Sequence, residues 1–577
     1  MWLLLLLAAV APAGAVAQSL PPSRAFEPVV VTGDALTPLA GATPTRVAAF
    51  RYQDEGWVPV PVQVDEREAL DLAWVYNGRE NARCAGSAWC FDRGSAVYTV
   101  YTDPGTFTGA DSDPFVDPDD EVVFMAQDAG QRAPSGVEAP PGALGSSGVE
   151  VAVRVPGDDE PAYIYLFWHD GRYPGDAGRP YVDYRFELLS GDYLATYDLK
   201  GVDFGDEPVG EALGANPEDT EVVTAYYRRH FSDRWIEDGL EVYAGGATGV
   251  DLLDRWKIQP EPGDCYRSEY TGSAGRGAFI ANRSGPVRGI RSVLGFNSGH
   301  FMQQDILFYE RHIATTFYHR GHSVESGPLG YNDYSAAATG MLRYSNLDPE
   351  GFLLDGQPEQ ASEGELAWEM VQGEQGTIVL AYDISTDIPW VEPSSYYHDE
   401  APAAVRQCTG DAALYGASGV RVTGRLPNTD PTIPGELYRL RFERQQLHAA
   451  PDLPLEEAQA FVTATDAPLD VEATPFALVL GEDPRPSPTP PEPFALDAPR
   501  PNPSSGLARI TYRLDAQSSV RLTVYDLVGR RVAVLDEGRR EAGYHDVPLG
   551  PDRFPAGVYI IRLESPRGMR AVPFVRR

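Results

Sequence analysis

The sequence predicts a mainly β protein, with a large antiparallel β-sandwich body of one or two units and a small C-terminal Ig-like β-sandwich. Three observations carry this expectation. Short runs of alternating apolar and polar residues recur between Gly, Pro and Asp, the period of two that a sheet shows when one face meets a core. Helical periodicity is scarce. A proline-rich stretch near the end separates two segments of opposite net charge. With 577 residues and a 43% hydrophobic share, the chain has the material for roughly two to four packed domains and is too apolar for global disorder.

In chain order, "MWLLLLLAAVAPAGAVAQ" is an apolar run ending in the small-residue triplet Ala15-Val16-Ala17, which fits the narrow pocket of signal peptidase. Residues 1–17 are therefore expected to be a signal peptide cleaved after Ala17, although no Lys or Arg precedes the apolar run. No Cys follows the cleavage point, which argues against a lipid anchor, and no later apolar run is long enough to span a bilayer. The mature protein is expected to be secreted or attached to the outer cell surface.

The body, residues 18–480, holds β-rich runs at Pro59–Glu68, Ala96–Asp103, Gly148–Val155, Ala162–Asp170 and Gly376–Asp383. Loop-like residues at 156–180 mark a second boundary within it. The best helical segment is Asp452–Ala464, with Asp452 as cap, a first-turn proline and acidic residues facing the helix dipole. No repeat of fixed period emerges, which leaves propellers and solenoids unsupported.

Four cysteines suit an exported protein: Cys84 and Cys90 are close enough to close a small loop, leaving Cys265 and Cys408 as a long-range pair. Zinc binding would call for paired short spacings, which are absent. The net charge is −37, and Lys200 and Lys257 are the only lysines. Such an acidic chain disfavours nucleic acid as a partner, and an anionic polysaccharide too unless a local Arg patch or a bound cation reverses the field.

Two constellations point to chemistry. "NSGHFMQQDILFYERHIATTFYHRGHSV", Asn297–Val324, carries His300, His312, His319 and His322. Read as one strand, Asp305–Ile313 places Ile306, Phe308, Glu310 and His312 on one face, and Tyr318, Arg320 and His322 share a face farther on. A polar cleft would then use His312 or His319 as general base, Tyr318 as acid and Arg320 to bind substrate, since His titrates near neutrality and a neighbouring cation lowers the pKa of Tyr. The competing reading is that these are ordinary hydrogen-bonded strand residues. "DSDPFVDPDDE" supplies Asp111, Asp113, Asp117, Asp119, Asp120 and Glu121, oxygen ligands spaced as in loops that hold Ca²⁺, but without the turning glycine of an EF-hand and with Pro114 and Pro118 interrupting it. A solvated acidic loop is the alternative.

"GEDPRPSPTPPEP", residues 481–493, favours extended polyproline geometry and forms a semi-rigid spacer of roughly 40 Å. From Phe494 onward the chain has 14 basic and 9 acidic residues, against 33 and 75 before it. Six short strand candidates follow: "ARITYRL", "SVRLTVYDL", "RRVAVLDEG", "GYHDVPLG", "GVYIIRLES" and "AVPFVRR". Within them "PNPSSG" (with Pro501, Asn502 and Pro503), "VYDLVGRRV" (with Gly529), Gly543 before a short strand and "FPAGVYIIRL" (with Gly557) occur in an order that resembles the type A C-terminal sorting domain of the type IX secretion system. The segment 494–577 also resembles the related Ig-like domain of the flagellar hook-capping protein. The resemblance implies recognition by the secretion machinery, export across the outer membrane, and structural rather than catalytic roles for the three glycines, as residues of tight turns.

Because a sorting domain is indifferent to its cargo, two expectations stand for the body. One is a glycan-binding or glycan-processing protein built around His312, Tyr318, His319 and Arg320; its Trp and Tyr residues, within an aromatic share of 11%, are suited to stacking on sugars. The other is a non-catalytic surface or adhesion protein stabilised by disulfides and calcium.

Overall fold

The computed structural model describes residues 20–73, 75, 97–144, 147–171, 178–197, 216–259, 263, 265–296, 299–319, 329–427 and 440–478, and, near the C-terminus, 494–496, 499, 502, 504, 508–514, 517–526, 530–540, 543–550, 554–566 and 568–576. The expected signal peptide at 1–17 and linker at 481–493 lie outside the described residues, as do Cys84, Cys90, Arg320, His322, Pro501, Pro503 and Gly529. The chain divides into two compact units, Met1–Val479 and Leu480–Arg577. Both are mainly β, and their strands pair antiparallel in eight sheets among the described residues.

In the first unit, a three-stranded sheet (Pro28–Thr32, Glu121–Met125, Gln63–Asp65) packs on a five-stranded one (Asp470–Ala477, Ser147–Arg154, Ala162–Trp168, Val47–Gln53, Gly56–Val60). Alternation does the work here: Val29, Val31, Val122 and Phe124 meet Val149, Val151, Val153, Ile164 and Leu166 in one core. The run Pro59–Glu68 is divided, because Pro61 lacks the N–H a continuing ladder requires. Its parts are Gly56–Val60, Gln63–Asp65 and the start of Arg67–Asp71, each in a different sheet. Strand Asp470–Ala477 returns from the far end of the unit to pair with Ser147–Arg154, so this sandwich holds both ends of the body. The next sheet begins only at Asp183–Arg185.

That second part is organised by a ten-stranded sheet whose central strands run, in spatial order, Gly289–Phe296, Gly299–Phe308, His312–His319, Leu440–Ala449 and Gly376–Thr386. Two four-stranded sheets cover one of its faces. Val222, Phe231 and Leu240 from one meet Ile306, Ile313 and Leu380, while Trp256, Ile258 and Val420 from the other meet Phe317 and Phe442. Buried arginines share this layer and are matched to carboxylates: Arg229 to Glu237 at 2.7 Å, Arg291 to Glu218 at 2.9 Å and Arg343 to Glu369 at 2.8 Å. Lys257 is also buried and donates to Asp333 and Gln407. Cys265 and Cys408 are joined in a disulfide.

The helix forms at Leu455–Asp466, not Asp452–Ala464. Pro454, with fixed φ, takes the N-cap position, no side chain caps the helix, and Glu456 and Glu457 occupy the first turn. Its Ala458 and Phe461 pack on Leu447, Ala449 and Val379, on the opposite face of the ten-stranded sheet.

The second unit is a small Ig-like sandwich: a three-stranded sheet (Phe494–Leu496, Ala508–Leu514, Gly543–Leu549) and a four-stranded sheet (Arg531–Arg540, Ser518–Asp526, Gly557–Ser565, Gly568–Arg576) enclose Ile510, Tyr512, Leu522, Val524, Ile561 and Phe574. Asn502 clamps the last strand, donating to the Pro573 carbonyl at 2.9 Å and accepting from the Val575 N–H at 2.8 Å. Tyr559 donates to the Pro555 carbonyl at 2.8 Å. One expectation needs correction: Gly557 opens a strand outside the left-handed region, and a Cβ there would make only ordinary contacts, so it is not required by a tight turn. Gly543 likewise opens a strand, pairing with Leu514. Among the described residues no helix is long and apolar enough to cross a membrane.

Candidate functional site

The site is built on the face of the ten-stranded sheet that the two smaller sheets leave uncovered. The segment expected as one strand at Asp305–Ile313 is a hairpin: one strand ends at Phe308, the next starts at His312, and Tyr309 N–H donates to the His312 carbonyl at 2.8 Å. Neither Gly nor Pro marks this turn in the sequence. Register then decides which side chains meet. Gln303 pairs with Tyr318, Tyr318 with Arg441 and Arg441 with Ser385; two residues along, Asp305, Thr316, Glu443 and Asp383 form the neighbouring row.

These rows floor a cavity of about 810 Å³. Its far wall is the hairpin Arg67–Asp71 with Val97–Tyr101, which contributes Arg67, Tyr98, Thr99 and Tyr101, together with Glu121 at the start of its strand. Ser385, Thr386 and Asp387 close one side. The lining thus combines tyrosine and hydroxyl groups and the Gln303 amide with two arginines and three carboxylates.

Those charges are tied down. Glu121 accepts from Arg67 at 2.7 Å, Arg288 at 2.6 Å and the Tyr101 hydroxyl at 2.8 Å. Burial works to raise the Glu121 pKa, but the Arg288 and Arg67 guanidiniums outweigh it and hold this carboxyl below its usual range. Burial pushes Tyr101 well up. Asp305 is raised by burial too, although Ser292 and Gln303 donate to it. Tyr318 is raised by burial and the Asp305 charge, with Arg441, whose guanidinium sits 5.8 Å from the ring centroid, partly opposing. Arg441 pairs in turn with Glu443.

Of the expected catalytic residues His312, Tyr318 and His319, Tyr318 is the one that lines the cavity. His312 shares its face but stands six residues, roughly 20 Å, along the strand, beneath the helix and packed against Phe26, Tyr309 and Phe461. Its Nε2 meets Gln445 Oε1 at 2.6 Å, and burial depresses its pKa to about 4. His319 points to the other side, against Phe317, with only 8% of its surface exposed. The structure therefore does not bring His312, Tyr318 and His319 into one constellation, because side chains alternate between faces and the helix seals one end.

The loop carboxylates of 111–121 are likewise engaged in local structure. Asp111 accepts from Asp113 N–H at 2.8 Å, Asp113 from Phe115 N–H at 3.2 Å, and Asp117 from Asp119 N–H at 3.2 Å. Asp120 accepts from the N–H groups of Asp117 and Arg67, and burial lifts its pKa to about 7. With Glu121 turned to the arginines, these carboxylates do not converge on one point. Among the described residues the cluster whose ligand atoms do converge is Asp355, Glu359 and Asp399, on another part of the fold.

Sequence reasoning missed Arg67, Tyr98, Tyr101, Asp305 and Arg441 as site residues. The available signal was the polar half of the alternation in four runs, Gln303/Asp305, Thr316/Tyr318, Arg441/Glu443 and Asp383/Ser385, but only the pairing order makes them neighbours.

No family model and no curated protein matches this chain. Among solved structures it is similar to a polysaccharide lyase at 9% identity and TM-score 0.14, covering 62% of this chain and 47% of that one. It is also similar to an α-mannosidase from Enterococcus faecalis V583 at 8% identity and TM-score 0.26, covering 92% and 56%. The chain spans about half the length of each of these two proteins.

Proposed function

We propose that this is a surface-delivered glycan-binding protein whose ligand lies in the cavity floored by Tyr318, Thr316 and Arg441. The observation that carries the reading is the composition of that cavity: three tyrosines, four Ser and Thr hydroxyls and the Gln303 amide beside paired charges, groups that stack on sugar rings and hydrogen-bond their hydroxyls. Binding is favoured over bond cleavage. Glu121, pinned between Arg67 and Arg288 and held below its usual range, is unsuited to act as a general acid, and burial raises Tyr318 away from neutrality; Asp305, raised by burial and hydrogen-bonded to Ser292 and Gln303, is the carboxylate a cleavage reading would use. Delivery rests on the C-terminal unit and its resemblance to sorting domains: it is a separate compact sandwich in which Asn502 of the "PNP" motif clamps the final strand. In that reading it is the element presented to a type IX-like secretion machinery after signal-peptide export.

Isothermal titration of the whole chain with soluble polysaccharides tests the binding claim, alongside an assay for new reducing or unsaturated ends. Saturable binding without turnover is expected. Turnover abolished by Tyr318→Phe would replace the binding protein with an enzyme, and absence of binding to any glycan would end the reading.

A further inference from the structure

We infer that the cavity takes hydroxyl-rich glycans without acidic groups and excludes polyuronates; this rests on the glycan reading above and narrows it. The cavity holds two guanidiniums, Arg67 and Arg441, against three carboxylates, Glu121, Asp305 and Asp387. Both guanidiniums already have anionic partners: Arg67 donates to Glu121 at 2.7 Å, and Arg441 pairs with Glu443 while lying over the Tyr318 ring. Arg288, behind Glu121, is also held by Asp65 at 2.8 Å. Arg67 gives Glu121 one N–H at 2.7 Å and Glu121 also keeps Arg288 at 2.6 Å, so a uronate carboxylate entering the cleft has to share Arg67 with Glu121 or Arg441 with Glu443, beside the Asp305 and Asp387 carboxylates. Repulsion between the like charges offsets what the shared guanidinium contributes.

The far field acts in the same direction. The chain before Phe494 carries 33 basic and 75 acidic residues, so a polyanion approaches against a negative potential that reaches about 8 Å in physiological salt. The remaining polar groups of the cleft, Gln303, Thr316, Ser385, Thr386 and the Tyr98 and Tyr318 hydroxyls, are uncharged and suit sugar hydroxyls as donors and acceptors. Three carboxylates against two paired guanidiniums repel an acidic sugar, and these uncharged groups are what remain to hold a ligand.

Titration of the whole chain with a β-glucan, a mannan and a xylan, and with alginate and polygalacturonate, tests this, in low salt and at about 0.15 M. The expected result is binding of at least one neutral polymer, with an affinity that changes less than about twofold between the two salts and falls at least about tenfold in Tyr318→Ala. Thr316→Trp, which fills the cleft floor, is the second variant, and unchanged melting temperatures show that both fold. Preferential binding of a polyuronate, lost in Tyr318→Ala, overturns the selectivity while the glycan reading survives. Binding to none of the polymers overturns both.

Discussion

The two faces of the ten-stranded sheet come from the same strands and differ in chemistry. From His312–His319, Ile313 and Phe317 turn inward beneath the four-stranded sheets, and Thr316 and Tyr318 turn outward. On the covered side every highlighted arginine, Arg229, Arg291 and Arg343, is matched to a glutamate, because a guanidinium taken out of water without an anion costs several kcal/mol. The other side is covered only in part: the helix Leu455–Asp466 seals the end around His312, the hairpin ending at Tyr101 stands over the other end, and Tyr318 and Arg441 line the space between. What separates framework from site in this sheet is the completeness of the cover, since both faces carry Arg, Glu and Tyr.

Removing a buried partner on the covered face should give the largest effect. Glu369→Ala leaves Arg343 without its 2.8 Å partner and the Tyr382 hydroxyl without its acceptor, and should lower the unfolding free energy by about 3–5 kcal/mol in a denaturant titration. A loss below about 1 kcal/mol would mean the inner charges are not framework.

His312 tests the sealed end through pH. Its folded pKa of about 4 lies below the usual value near 6.5, so above that value it adds no pH dependence. As pH falls below about 6.5 the unfolded chain takes up a proton that the folded one refuses, and stability is lost progressively until about pH 4. Relative to His312→Gln, the wild type should therefore lose roughly 3 kcal/mol between pH 7 and 4. Parallel curves for the two proteins would place His312 in contact with solvent.

On the open face the expected effects fall on binding. Tyr318→Ala should weaken glycan binding by about 1–2 kcal/mol, or roughly tenfold in Kd, with little change in melting temperature; a large drop in stability instead would make Tyr318 a core residue. The smallest effect belongs to the acidic loop. Asp113 is exposed and accepts the Phe115 N–H, so Asp113→Asn should change stability by less than about 0.5 kcal/mol, and a chelator should leave the melting curve in place. A chelator-induced drop of several degrees that is lost in Asp113→Asn would put a cation in this loop after all.

Legibility varied with how local the governing physics was. The C-terminal strands were readable almost to the residue: "ARITYRL" and "GVYIIRLES" are strands Ala508–Leu514 and Gly557–Ser565, since alternation and turn residues are short-range signals. The strand Phe494–Leu496 escaped because three residues carry no pattern. In the body, Ser147–Arg154 and Gly376–Thr386 matched their runs, whereas the turn at Tyr309–Arg311 was invisible because nothing in it resembles a turn. Tyr318 was found on sequence grounds, but its neighbours were sought among nearby histidines; its actual neighbours, Gln303 and Arg441, come from strands before it and more than a hundred residues after it.

By itself the sequence determined the mainly β class, the acidic body joined to a basic tail, and the small C-terminal sandwich, because composition and period-two alternation are properties of contiguous residues. Only the tertiary structure decided that both ends of the body share one sandwich, that His312 is sealed while Tyr318 is open, and that Arg67, Glu121, Asp305 and Arg441 meet around one cavity. Strand order and the layers that cover each face are long-range choices, and the free energy that selects them comes from pairings between segments that are distant in the chain.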